Sequence, residues 1–146
     1  MPVIVAWDND ERTIVRTESS GHWTWEEYHT GVDQALALIN SVDHPVHLIN
    51  VRHPDAVAPE GYALPHLRRL MRNLPKNHRM TIMVNPNMQN KMMMGVFRRV
   101  VPIFSLTFMM ARTLDEARNM IALYERKSGT APLNFSAVAD RFDMNP

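Results

Sequence analysis

Short apolar runs of two kinds alternate along this chain, and that alternation limits the folds open to it. Runs rich in β-branched residues, PVIVAW (2–7), TIVRTE (13–18), HPVHLINV (44–51), RMTIMVN (79–85) and IFSLTFMMA (103–111), read as strands. Between them, apolar residues recur at steps of three and four, which is helical spacing. The resulting order is ββαβαβαβα. Strands separated by helix-length segments pair side by side through right-handed crossovers, so the order predicts an α/β domain. It should hold a mostly parallel, mixed sheet of about five strands with helices, and one antiparallel strand. HPVHLINV is apolar on both faces, as expected of a parallel strand covered on both sides.

Local signals place the boundaries. DNDER (8–12) separates the first two strands and predicts a hairpin turn; it lacks the alternating ligands and closing Glu of a calcium loop. Thr24 with Glu27 forms a capping box, and Trp23 with Tyr28 has the spacing of a hydrophobic staple. Trp25, Tyr28, Val32, Ala35, Leu36 and Ile39 then form one apolar stripe, so the tryptophans are read as packing groups. Leu67, Leu70, Met71 and Leu74 mark a second helix that ends before Pro75, with Arg68, Arg69 and Arg72 on its other face. NPNMQNKMMMGVFRRVVP predicts a loop and a helix closed by Pro102. TLDEARNMIALYERKSG repeats the start signal with Thr113 and Glu116, and ends with Arg126, Lys127 and Gly129. The expected organisation is one domain over 1–129 and a tail over 130–146 with one short helix from Ser136.

Composition removes several chemistries. The chain has no cysteine, which excludes disulfides, thiolate metal sites and cysteine nucleophiles. Its first residues, MPVIVAWDND, have neither the basic nor the long apolar part of a signal peptide, so a cytoplasmic protein is expected. The formal charge of +1 is unevenly spread. From Gly61 to Leu114 there are nine basic residues and no acidic one, and the remaining segments carry a formal −8. Such asymmetry suits an anionic partner or a second copy of the chain; it equally suits two oppositely charged, solvated faces.

The strand, the loop NVRHPDAVAPEG (50–61) and the helix that follows resemble the STAS domain of anti-sigma factor antagonists, a fold shared with CRAL-TRIO lipid-exchange domains. WTWEEYHTGVDQALALINSVDHPVHLINV, RNLPKN (72–77) and TLDEARNMIALY resemble small stand-alone bacterial proteins of the STAS-like class. The resemblance covers about residues 2–128 and implies a regulatory, protein-binding module. One departure matters. Where the antagonists carry a phosphorylated serine in a D-S-[ST]-G-like element, this chain has Pro59, Glu60 and Gly61, and no Ser or Thr lies between Ser41 and Thr81. A phosphoserine switch at this loop is chemically impossible; Glu60 would instead stand as a fixed negative charge at a helix start.

No catalytic constellation can be assembled. The five glycines, at 21, 31, 61, 95 and 129, fall in no phosphate-cradling motif, and no G-x-S-x-G elbow or zinc-type histidine spacing occurs. His44 and His47, three apart on one strand, would point to opposite faces, and His47 is expected to be a hydrogen-bonded core residue. No cofactor, catalytic residue or metal is therefore expected. The candidate ligand- or anion-binding residues are Asn50, Arg52 and His53, with Asn85 and Asn87, at equivalent carboxyl ends of successive strands. Arg68, Arg69, Arg72, Arg98 and Arg99 form a candidate basic face. Nine methionines between Met71 and Met110 supply adaptable apolar surface. The leading expectation is a non-enzymatic interaction module, homodimeric or bound to a protein partner. The alternative is a carrier or sensor for a small amphipathic or anionic ligand such as a lipid. Nucleic acid is disfavoured, because basic and aromatic residues do not interleave.

Overall fold

The computed structural model describes residues 3–57, 59–61, 64–85 and 107–127. The elements are β1 (Val3–Trp7), β2 (Ile14–Ser19), α1 (Trp25–Asn40), β3 (Val46–Arg52), α2 (Leu64–Arg72), β4 (His78–Val84), β5 (Thr107–Ala111) and α3 (Leu114–Lys127). They form a five-stranded sheet in the order β1-β2-β3-β4-β5. β1 is antiparallel to β2, and every later pairing is parallel. The α/β class and the single antiparallel strand agree with the sequence reading. The helix expected before Pro102, the start of the fifth strand run, Gly129 and the tail lie outside the described residues.

The hairpin is made by one side chain. Asn9 Oδ1 accepts from the backbone N–H of Thr13 at 3.0 Å and of Ile14 at 3.2 Å, closing the turn while Arg12 takes the left-handed conformation at φ +57°. At the next junction the Thr24–Glu27 capping box forms, holding the first orphan N–H groups of α1. Half of the second box forms: Thr113 Oγ1 accepts from Glu116 N at 3.1 Å, and the Glu116 carboxylate turns to the Arg112 N–H at 3.4 Å.

Side chains alternate across the strands, and each face acquires its own core. On one face Val15, Val46, Leu48 and Met110 meet Val32, Ala35, Leu36 and Ile39 of α1 and Leu70 and Met71 of α2. On the other, Ile14, Ile49, Met80, Ile82, Val84, Met109 and Ala111 meet Ala117, Met120 and Ile121 of α3. Val46, His47, Leu48 and Ile49 are all buried, as expected of a strand covered on both sides. His47 is a core histidine: its Nε2 hydrogen-bonds the Glu125 carboxylate, and its ring meets Tyr124 edge-on at 5.4 Å. Burial holds its pKa below the usual imidazole value despite that carboxylate.

Candidate functional site

The parallel strands all point their carboxyl ends to one edge, and α1 and α2 both start there, so this is where the fold gathers polar groups. Two side-chain systems start from it, one on each face of the sheet.

The first is ionic and lies on the face covered by α3. His53, just beyond β3, reaches Glu18 with its Nε2 3.0 Å from Oε1. Glu18 also meets Arg16 Nε at 3.3 Å, and Arg16 in turn pairs with Asp8. The side chain of Asp8 is 2% exposed, and Arg118 of α3 grips it with two bonds, Nε at 2.9 Å and Nη2 at 2.8 Å. The Arg118 hydrogen bonds are the main reason that the Asp8 pKa is lowered, against the opposing cost of burial. A chain of alternating charges thus runs from Glu18 through Arg16 and Asp8 to Arg118 of the last helix, with His53 hydrogen-bonded at its loop end.

The second system is aromatic and lies between the first turns of α1 and α2. Trp25 stacks on His66 at a centroid distance of 3.8 Å and an interplanar angle of 6°. His66 Nδ1 lies 2.7 Å from His29 Nε2, a distance that requires one ring to donate and the other to accept. Trp23 meets Trp25 edge-on at 5.2 Å, and Tyr28 meets Trp25 edge-on at 5.6 Å. Burial raises the Tyr28 pKa to about 12. The His29 pKa is lowered, first by burial and then by Arg69 and His66, with Asp33 opposing. The indole N–H of Trp25 donates to the Glu60 carbonyl at 3.0 Å, tying the end of the 53–61 loop to α1. Gly61 follows at φ +106°, a conformation that favours glycine and turns the chain into α2. The start of the loop is fixed where His53 N donates to Ser19 O at 3.0 Å, and its middle where Val57 N donates to Gly21 O at 2.7 Å.

The candidate residues separate accordingly. Asn50 lies on the α1–α2 face, where its Oδ1 accepts from Thr17 Oγ1 at 2.5 Å; His53 turns to Glu18 on the opposite face. Arg52 ends β3, and Asn85 is buried beyond β4 with its N–H donated to Ala111 O at 3.1 Å. Arg68, Arg69 and Arg72 are exposed on α2, with Arg69 Nη2 3.5 Å from Asp33 Oδ2. Asn87, Arg98 and Arg99 lie outside the described residues. The Trp25–His66–His29 unit was not foreseen: its histidines are 37 positions apart and share no motif. Among the described residues, no group of three or more His, Asp or Glu side chains is placed to hold a metal ion. Among the same residues, no helix is long and apolar enough to cross a membrane.

No family model, no curated protein and no solved structure matches the chain.

Proposed function

We propose that this chain is a non-enzymatic, cytoplasmic interaction module of STAS-like architecture, acting through the surface formed by the 53–61 loop and the exposed side of α2. One observation carries the reading. The polar side chains at the carboxyl edge are bonded to one another, Thr17 to Asn50, His53 to Glu18, Trp25 to the Glu60 carbonyl and His29 to His66. What the edge turns outward is a fixed surface. Val57 is 46% exposed on a loop whose backbone is tied to Ser19 O at His53, to Gly21 O at Val57 and to Trp25 at Glu60; Arg68, Arg69 and Arg72 are exposed on α2, in a stretch with no acidic residue from Gly61 to Leu114. A backbone-anchored apolar spot on the loop and a helix face bearing three arginines suit a protein surface with apolar and acidic parts, because the anchored loop loses little entropy on contact.

The loop carries no hydroxyl, so binding here is constitutive and not switched by phosphorylation of the loop itself. The test is photo-crosslinking in the source cells from a diazirine residue at Val57. A discrete protein adduct, weakened on replacing Arg68, Arg69 and Arg72 together by Ser, supports the reading. Crosslinks to lipid alone, or a protein adduct indifferent to the three arginines, would count against it.

A further inference from the structure

Sheet parity and exposure lead from β1 to a second surface. Asp8 N donates to Ile14 O at 2.8 Å, and the register of the hairpin places Ala6 opposite Arg16 and Ile4 opposite Glu18. Bonded and non-bonded pairs alternate in an antiparallel ladder, so Asp8, Ala6 and Ile4 are the bonded positions. Val3, Val5 and Trp7 therefore turn their N–H and C=O groups away from β2, toward the side of β1 that no described segment pairs with. Exposed edges are normally blunted by charge, proline or a bulge. Val3–Trp7 has none of these, and Ile4 is 51% exposed on the face where α3 packs mainly on β3, β4 and β5.

We propose that β1 pairs antiparallel with β1 of a second copy of this chain, about a two-fold axis at Val5. The segment is its own complement there. Val5 faces the partner's Val5, Val3 faces the partner's Trp7, and about six interchain hydrogen bonds satisfy all the outward groups of both strands. On the open face, Ile4 comes beside the partner's Ala6. Above the opposite face the neighbouring element is α1, which packs Gly31 against Val3. Its flank there carries Glu27, held by Thr24 in the capping box, and the uncharged Gln34 and Leu38, while His29 and Asp33 face α2. Val3–Trp7 itself carries no charge to repel an identical strand. The pairing leaves the 53–61 loop free, so it and the interaction reading above can fail separately.

The experiment is sedimentation equilibrium of the full chain at tens of micromolar, with residue-resolved amide exchange. The expected mass is twice 16.9 kDa, with the Val3, Val5 and Trp7 amides as protected as those of Ile4 and Ala6. Ile4→Lys, at an already half-exposed position, should weaken association by at least roughly tenfold and release those three amides while leaving the other strands protected. A monomer with fast-exchanging Val3, Val5 and Trp7 overturns the proposal. So does a monomer in which they are protected, since another segment of the same chain then covers the edge, and so does a dimer in which they exchange freely. The exchange pattern of the unaltered chain decides the matter even if Ile4→Lys fails to fold.

Discussion

Replacing Asp8 should be the most damaging single change to a charged residue outside the two cores. The carboxylate accepts two bonds from Arg118 and one from Arg16, and its own side chain is 2% exposed. Breaking a fully buried ion pair costs about 3–5 kcal/mol because the surviving charge is stranded. Here the surviving arginines are 24% and 41% exposed, so water recovers part of that loss. Asp8→Ala is accordingly expected to cost about 2–3 kcal/mol at pH 7, lowering Tm by roughly 6–10 °C for a chain of this length. Asp8→Asn keeps one acceptor oxygen and should cost about half as much. The pH dependence adds a second signature. The folded pKa of Asp8 lies below its unfolded value, so the stabilisation is complete above about pH 4 and is lost as pH falls through the folded value. Parent and variant should therefore converge in acid. Urea unfolding followed by circular dichroism at several pH values measures this. A variant within about 0.5 kcal/mol of the parent at pH 7, or a gap that persists undiminished at pH 2, would refute the clamp.

Three further outcomes follow from particular contacts. Burial drops the His78 pKa to about 4, so the unfolded chain binds a proton below pH ~6.5 that the folded chain refuses until about pH 4. Stability should decline across that window, by on the order of 3 kcal/mol at full effect, and His78→Gln, which preserves a bond to Thr81, should flatten the slope in pH-dependent urea titrations. A Cβ at Gly31 would come 2.6 Å from Val3 Cγ1, so Gly31→Ala should cost about 1 kcal/mol despite its better helix propensity, and Val3→Ala in the same chain should recover much of it; additive effects in denaturant titrations would deny that contact. Trp25→Phe removes the indole donor to Glu60 and should raise amide exchange and protease cleavage around Val57–Gly61 with little change in global stability; unchanged exchange there would mean that the loop is held by something else.

What could be read in advance was local. The Thr24–Glu27 box, the staple of Trp23 and Tyr28, the turn at DNDER and the doubly buried HPVHLINV are short-range patterns with one physical solution each, and all appear in the fold. Asp8 was read only as a turn residue, because the partner that gives it its role, Arg118, is 110 positions away. The His29–His66 pair was hidden for the same reason. Asn50 and His53 are a different case. The alternation that puts His47 and Asn50 of β3 on opposite faces also separates Asn50 from His53, and expecting the latter two to converge overlooked it. The basic side of α2 was legible from helical spacing alone, since Arg68, Arg69 and Arg72 fall opposite Leu70 and Met71, which are buried.

The central claim is that the chain presents a preformed surface to another protein and does not carry a small molecule. Native mass spectrometry of gently purified protein, compared with spectra under denaturing conditions, tests it most directly. The account predicts species at integral multiples of 16.9 kDa, with no mass lost on denaturation beyond the separation of subunits. A protomer bearing extra mass that disappears on unfolding would contradict it and identify the chain as a carrier.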